Sequence, residues 1–177
     1  FFITAHAYEP HATNNVAGVA MCLCVAKTLM RQIRSGRLPP PKHSIRFFHG
    51  LENFSLYAWG MSHRKQMNAA LGGISTDSFG RFGAGGKVGR FVLRRWLNIH
   101  PSSQHALARE ILDRACAEAG IGYEVREGSS NNEEMMQDPM FGPAWNLLYG
   151  SLWEEPVETK PLCYFYHTDI DTVDQLS

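Results

Sequence analysis

The sequence predicts an α/β fold, a mostly parallel mixed sheet flanked by helices on both faces. Three observations carry this. Short apolar runs at Phe1 to Ala5, Ser44 to Phe48 and Ile74 to Thr76 alternate with longer segments of helical periodicity. Glycine and proline clusters, such as Gly36 with Pro39 to Pro41 and the pair Gly72-Gly73, punctuate the alternation. Finally, His6, Glu52, Asp77 and His167 each follow an apolar run. In parallel strands those ends share one edge of the sheet, where open α/β sheets bind their ligands.

Phe1 to Ala5 reads as a buried strand, short, apolar and followed by a polar loop holding His6, Glu9, His11, Asn14 and Asn15. Thr13 or Asn14 can cap a helix through about Arg34, with Val16, Val19, Ala20, Leu23, Lys27 and Met30 at roughly helical spacing. Gly36 stops it, and three prolines stiffen the connection to the strand Ser44 to Phe48. His49 to Asn53 is expected as a strand-to-helix loop, followed by a helix from about Phe54 to Ala70 that presents Leu56, Tyr57, Trp59 and Met67. A third strand, Ile74 to Thr76, runs into Asp77.

Phe79 to Gly89 is glycine-rich and lacks the Lys-Ser/Thr ending of a phosphate loop, so a surface loop is expected. Arg94 and Arg95 beside Trp96 suggest a solvated helix or strand edge more than a basic patch. Pro101 to Ala119 reads as a helix with Leu107, Ile111 and Cys116 on one face. Ile121 to Arg126 reads as a strand, and Gly128 to Phe141 as a polar loop with the pair Glu133 and Glu134. Trp145 to Tyr149 and Leu162 to Tyr166 are expected strands, the second delivering His167.

At 177 residues the chain is expected to form a single domain, and it carries no net charge. That balance offers no bulk attraction to nucleic acid or anionic membrane. Cys22, Cys24, Cys116 and Cys163 show no paired zinc spacing; Cys22 and Cys24 lie in an apolar helical run and read as small core residues. No signal peptide or membrane span is visible, so a cytoplasmic location is expected. The chain opens mid-strand without Met and ends just after an Asp-rich segment, which suggests a piece of a longer protein, incomplete at both ends.

In order and spacing, His6-Ala7-Tyr8, Asn14-Asn15-Val16-Ala17-Gly18, Glu52-Asn53, Asp77 and Tyr166-His167-Thr168, with Asp171-Thr172 after it, form a pattern over nearly the whole chain. It resembles the co-catalytic zinc aminopeptidases, the family that also contains glutaminyl cyclases. The resemblance implies a zinc-exopeptidase (phosphorylase/hydrolase-like) architecture. It implies that His6 and Asp77 bind the first metal, that His167 binds the second, and that Glu52 is the general base taking a proton from the attacking water. The position of Asn14 normally holds a carboxylate bridging both metals, and that of Asn53 a Glu ligand of the second. Tyr8 stands where the family has an Asp that orients the first His.

These departures change the electrostatics. Two dications about 3.5–4 Å apart repel by roughly 16–19 kcal/mol at an effective dielectric near 20. Only Asp77 remains as an anionic ligand, and neutral amides are weak zinc ligands. A two-zinc centre of the usual kind is not expected; one zinc ion fits better than two. Losing the carboxylate that orients a ligating His typically costs about 10–100-fold in affinity. His11, His49 and Glu9 are close enough in sequence to replace ligands, although exposed loop positions explain them better.

Three functions compete. One is metal-assisted hydrolysis of an N-terminal peptide bond or a related amide, with Glu52 shuttling the proton and Tyr8, Glu133 or Glu134 meeting the substrate. Another is a metal-free pseudo-peptidase that binds a peptide or a protein partner. Metal-free acyl transfer through Glu52, His6 and His167 ranks last, because no Ser or Cys nucleophile stands beside them.

Overall fold

A computed structural model describes residues 1–8, 12, 16–52, 54–77, 90–95, 103–127, 146–151 and 172–173. The elements run β1 (Phe2–His6), α1 (Ala17–Arg34), β2 (Arg46–Gly50), α2 (Ser55–Ser62), α3 (Arg64–Asn68), β3 (Gly73–Asp77), β4 (Arg90–Arg95), α4 (Ser103–Ala119), β5 (Tyr123–Glu127) and β6 (Asn146–Ser151). The strands form one sheet in the order β2-β1-β3-β6-β4-β5, parallel throughout except where β4 meets β6. The mostly parallel α/β sheet expected from the sequence is therefore present. Leu162 to Tyr166, the last expected strand, lies outside the described residues.

Alternation along β1 sorts the helices onto two faces. Phe2 packs with Leu56 and Met67, joined by Phe48, Trp59 and Ala70, so the even positions of β1 face α2 and α3. The Phe2 ring meets Trp59 edge-on at 5.6 Å, and Phe48 lies 5.8 Å from the same indole. Ala5 instead abuts α1 at Gly18, so the odd positions face α1. Helices on both faces explain why β1 reads as a near-continuous apolar run.

Several boundaries and faces differ from the sequence expectation. Strand β2 lies two residues later than Ser44 to Phe48, taking in His49 and Gly50, because both continue the ladder opposite Ala5 and His6. The expected single helix from Phe54 to Ala70 breaks at His63, whose φ of −124° and ψ of 37° are not helical. There the Ser62 hydroxyl turns back to the carbonyls of Ala58 and Trp59, and His63 Nδ1 lies 2.9 Å from the Trp59 carbonyl. Such side-chain bonds compete with the helical ladder.

Arg94 and Arg95 belong neither to a helix nor to a strand edge. They lie in β4, an interior strand whose Val92 and Leu93 are fully buried.

The buried stripes of α1 and α4 are rotated from the expected ones. In α1 the buried residues are Ala17, Gly18 and Cys22, while Leu23, Cys24 and Met30 are exposed, so Cys24 is not core. In α4, His105 and Cys116 are buried and Leu107 and Ile111 are exposed. Close approach of α1 to the sheet selects its smallest side chains, and its larger apolar ones turn outward. No helix among the described residues is long and apolar enough to cross a membrane.

Candidate active-site crevice

The path of the chain locates the crevice. From β1 it runs to β2 on one side, then returns across β1 to β3 on the other. The order of strands reverses between β1 and β3, and ligands of open α/β sheets sit outside the carboxyl ends at such a point. His6 ends β1 and Asp77 ends β3.

The ladders fix the neighbours of His6. On one side it pairs with Gly50 of β2. On the other, β1 pairs with β3 from Phe2↔Gly73 to Thr4↔Ser75, an offset of 71. Carried two residues further, that offset sets Asp77 beside His6. Contacts one residue earlier agree: a Cβ built on Gly18 would lie 3.3 Å from Ala5 Cβ and 2.6 Å from the Thr76 carbonyl oxygen, the pair that the same offset joins.

Helix α1 is seated by these contacts. Gly18 lets its first turn touch the ends of β1 and β3, where any side chain would strike backbone. The buried Thr76 hydroxyl donates to the Thr4 carbonyl at 2.9 Å and lies 3.4 Å from the Gly18 carbonyl, with Cys22 Sγ 3.3 Å away. One side chain thus ties two strands to the helix. The sequence reading did not single out Thr76; its place directly before Asp77 was the available signal. Burial pushes the Cys22 thiol above its usual range, against the opposing hydrogen bond with Thr76.

His6 is buried at 2% exposure, and as an even position it lies on the face of α2. Its ring centroid is 6.2 Å from that of Tyr8. The half-exposed Tyr8 donates its hydroxyl hydrogen to Glu52 Oε2 at 3.2 Å. Glu52 stands two residues past β2, where the backbone turns tightly: Leu51 N–H donates to Ser55 Oγ at 2.8 Å, and Ser55 fills the space beside Gly50.

His6, Tyr8, Glu52 and the backbone of Asp77 therefore meet at one edge of the sheet. His49 does not join them: it pairs with Ala5, and its side chain bonds the Ala5 backbone on the opposite face from His6. Burial lowers the pKa of His49, and that bond opposes the shift. Asn14, Asn53, Glu133, Glu134 and His167, together with Glu9 and His11, lie outside the described residues.

The donor set can be weighed against a metal. Among the described residues no three His, Cys, Asp or Glu side chains converge on one point. His6 and Asp77 end adjacent strands, while the two positions that would carry bridging or second-metal carboxylates are amides, Asn14 and Asn53. This chemistry does not fit a dinuclear zinc centre.

No protein-family model matches the chain, and no curated protein does. Among solved structures, the fold is similar to that of a candidate peptidase from Clostridium acetobutylicum, with a TM-score of 0.73 and 18% identity over 99% of this chain. The chain spans 36% of that protein. A second structure, PhTET1-12s, gives a TM-score of 0.45 at 16% identity, covering 77% of this chain and 39% of its own, a likeness too slight to carry argument. The chain thus has an α/β fold of the kind seen in the Clostridium candidate peptidase.

Proposed function

We propose that this chain is a zinc-aminopeptidase-type domain that hydrolyses an N-terminal peptide bond or a related amide in the crevice at the carboxyl ends of β1 and β3. The supporting observation is the ladder itself, which aligns His6 with Gly50 and, continued, with Asp77, while Glu52 overhangs the same edge. His6 and Asp77 would hold one zinc ion, which when bound would polarise the scissile carbonyl.

Glu52 takes the proton of the attacking water and returns it to the leaving amine. Its carboxylate accepts the Tyr8 hydroxyl hydrogen at 3.2 Å. Glu133 or Glu134 would meet the peptide amine. A cytoplasmic setting suits the free thiols of Cys22, Cys24 and Cys116.

The amides Asn14 and Asn53 favour a second reading, a metal-free pseudo-peptidase that binds a peptide or protein partner in a neutral polar pocket. Elemental analysis of the intact purified protein separates the two, combined with aminoacyl reporter release in the presence of zinc or manganese. About one zinc per chain with release supports hydrolysis. Neither zinc nor release, with melting temperature and partner binding indifferent to chelator, overturns it in favour of binding alone.

A further inference from the structure

We propose that Tyr8 is a positioning residue that sets the orientation of the Glu52 carboxylate in the crevice; this rests on the hydrolytic reading of the site. The contact follows from the ladder. Every pair between β1 and β2, from Phe2↔Arg46 to His6↔Gly50, is offset by 44 residues. Ala7 N–H continues the ladder to the Gly50 carbonyl at 3.0 Å. The same offset carries Tyr8 to Glu52, and there the hydroxyl meets Oε2 at 3.2 Å. The pairing that seats His6 between its neighbours thus also places a donor against the base.

A glutamate side chain carries several free torsions, and ordering it costs entropy. A phenol has two, and this ring lies beside that of His6, tilted 56° to it at a centroid distance of 6.2 Å. An oriented carboxylate is what proton transfer requires, because a general base must lie within hydrogen-bond reach of the proton it takes. In the resembled family an acid at this position would accept a bond from the histidine. Tyr8 is instead a donor turned to the neighbouring strand, so orientation passes from the histidine to the base.

The test uses the intact protein carrying 3-fluorotyrosine. The resonance of Tyr8, assigned as the one lost in Tyr8→Phe, moves in Glu52→Gln, while those of the other five tyrosines stay in place. In parallel, leucine p-nitroanilide turnover with added zinc falls about tenfold in kcat for Tyr8→Phe with KM unchanged, the pattern of a lost transition-state interaction. An unmoved Tyr8 resonance overturns the proposal whatever the kinetics. A moved resonance with unchanged kcat in an active wild type also overturns it. If the wild type releases nothing, the hydrolytic reading falls, and Tyr8's part in catalysis falls with it. A moved resonance would then leave only the contact between Tyr8 and Glu52.

Discussion

Replacing Gly18 by Ala tests how tightly α1 is seated over the crevice. A Cβ there would lie 2.6 Å from the Thr76 carbonyl oxygen, and ordinary contact begins at 3.4 Å, so the first turn of α1 must retreat by about 0.8 Å. Both obstructing groups, the Thr76 carbonyl and Ala5 Cβ, are fixed in the sheet and cannot swing aside. Overpacking of this kind costs about 1–3 kcal/mol. The retreat also stretches the 3.3 Å contact of Cys22 with Thr76, a loss of about 1 kcal/mol. Against these stands the better helix propensity of Ala, worth about 1 kcal/mol. The net expectation is a destabilisation of about 1–3 kcal/mol, or roughly five- to 150-fold in the unfolding constant. Urea titration reads it as a lower midpoint with an unchanged slope. Gly122 is the control, since nothing lies within 4 Å of a Cβ built there; its change to Ala should stay within about 0.5 kcal/mol. A Gly18→Ala protein as stable as the wild type would refute the close seating of α1.

Thr76→Val removes the hydroxyl that donates to the Thr4 carbonyl at 2.9 Å; urea titration should show a loss of about 0.5–1.5 kcal/mol, largely restored in Thr76→Ser. Iodoacetamide followed by peptide mass mapping should modify the exposed Cys24 in the folded protein and reach the buried Cys22 and Cys116 only on unfolding. Burial raises both buried thiols, with the Asp113 carboxylate adding to the shift at Cys116. Unfolded thiols therefore ionise first, and stability, complete below the free-thiol range, falls as the pH rises above it. His49 acts at the other end. Burial lowers its pKa, so its contribution is complete above the free imidazole range and is lost as the pH falls through it. His49→Gln should flatten the acid limb of the stability profile.

Strand ends were the legible part of this sequence, because each apolar run stops at a residue whose polarity is visible. His6 and Asp77 end β1 and β3, and the same reasoning found the edge they share. Pattern failed where polar residues continue a ladder: His49 and Gly50 look like a loop but pair with Ala5 and His6. It failed again where packing distance overrides size. Leu23 and Met30 look like a core face, yet Gly18 brings α1 so near the sheet that Ala17 and Cys22 take those places. Strand β4 was hidden by its charged flanks, with Phe91, Val92 and Leu93 too short a run to stand out. The contact of Tyr8 with Glu52 could be read only after β1 and β2 were known to be adjacent and their offset fixed.

Three departures from the resembled pattern act in one direction. Where the resembled pattern has three carboxylates this sequence has the neutral Asn14, Asn53 and Tyr8, the last with a hydroxyl near the carboxyl end of β1. In a dinuclear site those charges offset two dications, and a glutamate base stands in a strongly positive field. With one dication in place of two that field is weaker, and the neutral Tyr8 hydroxyl gives the Glu52 carboxylate a donor without adding charge. On the proposed reading, the tyrosine and the two amides belong to one difference in charge from the resembled pattern. If so, restoring Tyr8→Asp alone should be worse than the wild type, because it faces the Glu52 carboxylate with a second anion. Restoring it together with Asn14→Asp and Asn53→Glu should recover stability once zinc is added. Melting temperatures of the single and triple variants, with and without zinc, decide the point: a single variant as stable as the wild type would separate Tyr8 from the charge argument.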